Sequence, residues 1–380
     1  MPIVSEVWQD AGLFLQRIDS NIFDNISEKM KDNNKKHEDA NGSSVTNFIA
    51  CLPNSNHNQS NEYMNIEIES YIETTVDLVG LQVWRGALFL ADYIIMHPSL
   101  LSNKNVIELA AGTGLTSIAA LLSNQTGTRE GISSLICTDV DRGSILPLIV
   151  RNFERNSIAT SPNLPSGNKP LYAKVAEIDF FNEETYCGTI RNGEIGIKKG
   201  SCTKTRSETI QHKVGNQTRL SVDELQNMDI ILAADVVYDQ SITKAFFTCL
   251  RNITTTALSI KQSTRDHTHK ARKAVQIFIS IEKRCRVSAL EDEVKFVDTA
   301  LECKKEDNVT NTDDVTKARA PNFDIFKTLL NSFINYYNND DFVCTLQNVR
   351  SSEIIQSFSC YERVKELCLF KVTVCQRHSL

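Results

Sequence analysis

The chain has no run of about 18 consecutive apolar residues, the length a helix needs to cross a bilayer. That argues against a helical membrane protein. Its 11 cysteines form no CxxC pair and have no histidines at zinc spacing, so they read as reduced thiols of an intracellular protein, not as metal ligands or a disulfide framework. An excess of positive charge is missing too. With 41 Lys and Arg against 47 Asp and Glu, the net charge of −6 gives no global attraction for nucleic acid or anionic lipid. Met1 to Asp10 lacks a basic region followed by an apolar run, so secretion is not expected, and the chain has no internal repeat.

What the 380 residues do contain is strongly segregated, with 41% hydrophobic residues gathered into blocks between polar stretches. Ser20 to Ser60 is rich in Asn, Lys, Asp, Ser and Glu without sustained periodicity, and is expected not to pack. Residues 1–63 are therefore read as a partly disordered N-terminal extension. Similar polar stretches near 123–133, 159–169, 182–226, 261–272 and 299–320 read as loop insertions in one domain spanning 64–376. Loop closure entropy grows only logarithmically with length, so a single core tolerates them.

Without the insertions, strand and helix patterns alternate. Asn105–Ala110, Ser134–Asp139, Leu171–Ile178, Met228–Ala234, Ala274–Ile281 and Lys365–Val374 read as strands. Helical spacing marks Leu115–Leu122, Ser144–Arg155, Ile242–Leu250 and Asp324–Tyr336. Apolar strands separated by helices predict an α/β fold with a doubly wound, parallel sheet covered on both faces.

The segment from Val106 to Ser117, VIELAAGTGLTS, joins the first strand to the first helix of this unit. Gly112 and Gly114 let the backbone approach a ligand, and the helix that follows opens with unpaired N–H groups. A dinucleotide site calls for a third Gly or Ala where Ser117 stands, and Glu108 would repel a phosphate. A carboxylate at that point suits an ammonium or hydroxyl group, which points to S-adenosylmethionine. Asp139 ends the next strand and is placed to accept hydrogen bonds from both ribose hydroxyls.

These residues resemble a known family. Val83-Trp-Arg-Gly-Ala-Leu88, Glu108-Leu-Ala-Ala-Gly-Thr-Gly-Leu115, Thr138-Asp139, Asn152, Asn156 and Asp235-Val-Val-Tyr238 are similar to motifs of the family-16 lysine methyltransferases of the methyltransferase-like group. The resemblance implies a Rossmann-like, seven-stranded class I methyltransferase that uses S-adenosylmethionine. By the same resemblance Trp84 lies against the cofactor, Glu108 to Gly114 holds it, Asp139 binds its ribose, and Ala234 borders it. Its adenine contact is implied at Asp179 and Phe180, where the family has an acid followed by Trp. Ala110 stands where the family turn usually begins with Gly, so the backbone there must accommodate a methyl group.

Asp235 and Tyr238 follow an apolar strand, at the sheet edge where α/β sites form. Methyl transfer to nitrogen needs in-line approach and a neutral amine, whereas lysine, with an ordinary pKa of about 10.4, is mostly charged. Asp235 is expected to orient the incoming ammonium, and Tyr238 to donate a hydrogen bond or wall the channel. Asp235→Ala is accordingly expected to abolish transfer with cofactor binding nearly intact, and Glu108→Ala to weaken cofactor binding. Glu282-Lys-Arg284 reads as a charge cluster near the substrate entrance. The expected reaction is methylation of a lysine in a protein substrate by a monomeric enzyme of the nucleus or cytoplasm, with no metal, membrane or direct nucleic-acid partner. Action on a small molecule or nucleic acid is the alternative on the same fold, although Asp235-Val-Val-Tyr238 lacks the proline and aromatic segment that stacks a flipped base.

Overall fold

The computed structural model describes residues 42–52, 62–72, 74–124, 131–160, 171–186, 220–259, 273–283, 286–287, 295–296 and 321–377. The expected insertions at 261–272 and 299–320 lie outside the described residues, as do most of those at 123–133, 159–169 and 182–226.

Strands β1 (Ser43–Cys51) and β2 (Tyr63–Tyr71) form an antiparallel pair in register from Ser43 opposite Tyr71 to Cys51 opposite Tyr63. This corrects the reading of Ser20 to Ser60 as unpacked, because Phe48 and Ala50 of β1 are buried. The strand's polar residues occupy its outer positions and dilute the apolar signal. A division at residue 63 would fall between these paired strands.

A 3-10 segment (Val76–Leu81) leads into helix α1 (Arg85–Met96), followed by β3 (Asn105–Leu109), α2 (Leu115–Ser123), β4 (Ser134–Asp139), α3 (Ile145–Arg155) and β5 (Lys174–Glu177). Then come α4 (Val222–Gln226), β6 (Ile230–Ala234), α5 (Gln240–Leu258) and β7 (Ala274–Glu282). The short strands β8 (Arg286–Val287) and β9 (Lys295–Phe296) pair with each other, and α6 (Pro321–Tyr337), β10 (Phe342–Val349) and β11 (Leu367–Gln376) complete the described elements.

The main sheet has seven strands in the order β10-β11-β7-β6-β3-β4-β5. It is mixed: β5, β4, β3, β6 and β7 run parallel, while β11 lies antiparallel to both neighbours. The parallel sheet expected from the sequence spans five of the seven strands, and the β10 and β11 edge is antiparallel. Periodicity reveals that a strand is buried on both sides but not its direction, and β10, whose middle is exposed, did not stand out in the sequence.

Successive side chains along each central strand enter opposite core layers. Val106, Leu232 and Phe278 pack with α1, α2, α3 and the hairpin; Ile107, Ile231, Ala233, Ile277 and Ile279 pack with α5 and α6. Coverage of both faces explains why these strands are apolar throughout. Asn152 of α3 and Asn156, which caps its C-terminus, fasten the hairpin in the manner of a strand. Asn152 accepts from the Glu69 amide at 2.7 Å and donates to its carbonyl at 3.0 Å, and Asn156 accepts from the Glu67 amide at 3.0 Å and donates to its carbonyl at 2.8 Å. Asn152 also donates to the Thr113 carbonyl at 3.0 Å, joining hairpin, helix and the turn after β3.

Candidate active site

The turn between β3 and α2 departs from ordinary backbone at three points: φ is +53° at Ala110, +58° at Gly112 and +81° at Gly114. At Gly112 a Cβ would sit 2.9 Å from the Gly80 carbonyl oxygen, so glycine allows the 3-10 segment to lie directly on the turn. Ala110 bears a left-handed conformation with a side chain, which costs roughly 1–2 kcal/mol. Gly114 opens α2, and no side chain caps it.

Glu108 is 1% exposed, and the Ser117 hydroxyl donates to its Oε2. Ser117, the residue that spoiled the dinucleotide pattern, thus holds the acid of the turn against the first turn of α2. Burial pushes the Glu108 pKa up to about 7, and the hydrogen bond from Ser117 only partly offsets this. Asp139 accepts the Gly112 amide on Oδ2 and the Val140 amide on Oδ1, both at 2.7 Å. Burial raises its pKa to about 6 against the opposing effect of those two bonds. The structure therefore brings Glu108, Ala110, Gly112, Gly114 and Asp139 together around one turn.

Trp84 precedes α1 and donates its indole N–H to the Val79 carbonyl at 2.8 Å, pinning the 3-10 segment that covers Gly112. Phe180 lies three residues beyond the end of β5. Its ring meets Phe246 of α5 edge-on, with centroids 5.6 Å apart, while neighbouring Phe181 is 63% exposed. Asp179 accepts the Phe181 amide at 2.9 Å and so shapes this bend.

At the end of β6, next to Ala234, Asp235 has φ +52°. Its Oδ2 accepts the Gly86 amide at 2.8 Å and its Oδ1 the Glu282 amide at 2.9 Å, while its own amide donates to the Ser280 carbonyl at 2.8 Å. Asp235 thereby fastens the start of α1 to the end of β7. A Cβ on Gly86 would fall 2.6 Å from that carboxyl group, so this junction needs glycine. Arg85 reinforces it by donating Nε and an Nη to Glu282 at 3.2 and 2.7 Å. The following helix is capped by Asp239, which accepts the Ser241 and Ile242 amides at 2.7 and 2.9 Å. Gly86 and Arg85 had been visible only as part of a motif, since the sequence cannot show which distant strand end they meet.

Tyr238 lies four residues beyond the end of β6. Its hydroxyl pKa is pushed up to about 12, first by burial and then by the negative charges of Asp139 and Asp239, so it remains a donor at neutral pH. Among the described residues no group of His, Cys, Asp and Glu could hold a metal ion. Seven described cysteines are free thiols, among them Cys137, which is buried on β4.

Residues 61–166 match the family model described as lysine methyltransferase. The likeness is to the lysine methyltransferases. The chain is 30% identical to methyltransferase-like protein 22 of Mus musculus over 219 residues, 58% of this chain and 43% of that protein. The human protein of the same name is also 30% identical, over 58% of this chain and 42% of its own length. A shorter match, 45% identical over 40 residues, or 10% of this chain and 12% of the relative, is to the human protein-lysine N-methyltransferase EEF2KMT. The chain thus spans less than half the length of these curated relatives. A solved structure described as a SAM-dependent methyltransferase from Streptococcus mutans aligns with a TM-score of 0.35 at 13% identity, over 81% of this chain and 53% of its own. The family resemblance read from the motifs is borne out. The cofactor that this family implies is S-adenosylmethionine, and the donor set fits it: two buried carboxylates flank a tight glycine turn, suiting an ammonium group and ribose hydroxyls and repelling phosphate.

Proposed function

We propose that this chain transfers a methyl group from S-adenosylmethionine to the side-chain amine of a lysine in a protein. The observation that carries the reading is the convergence of the Glu108 to Gly114 turn, Asp139 and the Asp235–Tyr238 strand end on one edge of the sheet. Bound there, the cofactor supplies an electrophilic methyl group on a sulfonium.

The residues divide the work. Glu108 offers negative charge to the cofactor's ammonium, and Asp139 accepts from its ribose hydroxyls with lone pairs not used by the Gly112 and Val140 amides. The 3-10 segment, held by Trp84, covers the turn and excludes water. Asp235 supports the start of α1 and places negative charge at the sheet edge where an incoming ammonium is oriented. Tyr238 donates a hydrogen bond or walls the channel while the amine loses its proton to water.

The test is incubation of the protein with isotopically labelled S-adenosylmethionine and an extract from cells lacking it, followed by mass spectrometry of labelled species. Label on a lysine of an extract protein is the expected result. Label in RNA or in a small metabolite would replace this reading with another substrate class.

A further inference from the structure

The ends of β6 and β7 and the start of α6 border a small open pocket whose lining includes Tyr238, Glu282, Lys283, Asn322 and Phe323. Asn322 donates to the Tyr238 carbonyl at 2.7 Å, fixing α6 to the strand end that carries Asp235. The Phe323 ring already receives two ammonium groups of this chain: Lys283 Nζ stands 4.7 Å from its centroid and Lys327 Nζ 4.4 Å. A ring face that gathers ammonium groups is the chemistry by which proteins recognise lysine and its methylated forms.

Lys283 is the lysine that lines this pocket. Its backbone is pinned, because the preceding Glu282 amide donates to Asp235 and its own amide donates to the Glu366 carbonyl at 3.1 Å. Tyr238, four residues beyond the end of β6, forms a wall of the pocket, and β6 pairs in parallel with β3, the strand that leads into the cofactor turn.

We propose that this pocket is the amine-accepting subsite and that Lys283, seated on Phe323 as an internal stand-in for substrate, is itself a methyl acceptor. This rests on the methyl-transfer reading above. Lys283 first gives one proton to water. Its Nζ electron pair then forms the new N–C bond as the S–C bond of S-adenosylmethionine breaks, and sulfur keeps that bonding pair as S-adenosylhomocysteine leaves. The lysine ends as a methylammonium with its positive charge restored. Methylation enlarges the group on Phe323 and would make it compete more strongly with an incoming substrate lysine.

The test uses the full chain with deuteromethyl-labelled S-adenosylmethionine and no other protein, read by peptide mass spectrometry beside calorimetric binding of S-adenosylhomocysteine. Label is expected on Lys283 and at least tenfold lower in Phe323→Leu, with S-adenosylhomocysteine affinity within twofold of that of the unmodified chain. Independently, n-butylammonium should bind Lys283→Ala loaded with S-adenosylhomocysteine more tightly than it binds the unmodified chain. Bound S-adenosylhomocysteine without label on Lys283, or label on Lys327 instead, would overturn the assignment and leave the methyl-transfer reading standing. Equal label in Phe323→Leu, or no gain in butylammonium binding, would overturn the subsite. Failure to bind S-adenosylhomocysteine at all would remove the reading on which both stand.

Discussion

The turn after β3 and the junction at the ends of β6 and β7 both carry acids at strand ends, but they hold them differently. Glu108 and Asp139 are buried with pKa values raised to about 7 and about 6, so the hydrogen bonds that the protein gives them only partly compensate their ionisation. Asp235 is engaged by two backbone amides from elements 149 and 47 residues away in sequence. The first pair is arranged to gain from a ligand with an ammonium and hydroxyls. The second acid is fastened to the scaffold, between the start of α1 and the end of β7.

That difference is open to attack by mutation. The largest effect is expected from Asp235→Ala, which should lower turnover by a hundredfold or more and, by releasing α1 and Trp84, weaken cofactor binding by about tenfold, a loss of roughly 1.4 kcal/mol. Calorimetry showing cofactor affinity within a few fold would leave Asp235 with the substrate-orienting role alone. Gly86→Ala should behave likewise, because its Cβ would overlap the same carboxyl group. Next comes Asn152→Ala, which removes hydrogen bonds to Glu69 and Thr113 and should cost roughly 2–4 kcal/mol in urea unfolding. A loss under 1 kcal/mol would mean that the turn does not depend on the hairpin.

The turn's acids predict a dependence on pH. Their folded pKa values lie above the ordinary ones, so the stability they contribute is fully present below about pH 4 and is lost as pH rises through about 6 and about 7. For Glu108 the shift from 4.5 to about 7 corresponds to roughly 3 kcal/mol. A cationic ligand reverses the sense, and cofactor affinity should climb about tenfold between pH 5.5 and 8 while Glu108→Gln flattens the climb. A flat profile in the unmodified protein would detach Glu108 from the ligand. The smallest effect is expected from Ala110→Gly, which relieves the left-handed alanine and should raise thermal stability by up to about 1 kcal/mol without altering cofactor affinity.

Much of the turn was legible because its parts are close in sequence. Glu108, the two glycines and Ser117 sit within ten residues of one another, and Asp139 ends the very next strand. Periodicity also located the central strands and most helices, whose apolar patterns answer to the two core layers. The hairpin was hidden by the polar composition around it, and the direction of β11 left no trace in its pattern. The adenine contact at Asp179 and Phe180 was implied only by the family resemblance, and no spacing in the sequence shows that the Phe180 ring meets Phe246.

The sequence by itself determined the α/β class, the glycine turn with its acidic partners and the likeness to the lysine methyltransferases, since these depend on residue type at short spacing. Only the tertiary structure decided which backbone amides the Asp235 carboxylate accepts, that Arg85 pairs with Glu282, and that two lysines share the Phe323 ring. Those contacts join elements far apart in the chain, and a hydrogen bond or a cation over a ring exists only once folding has brought its two partners within a few ångströms.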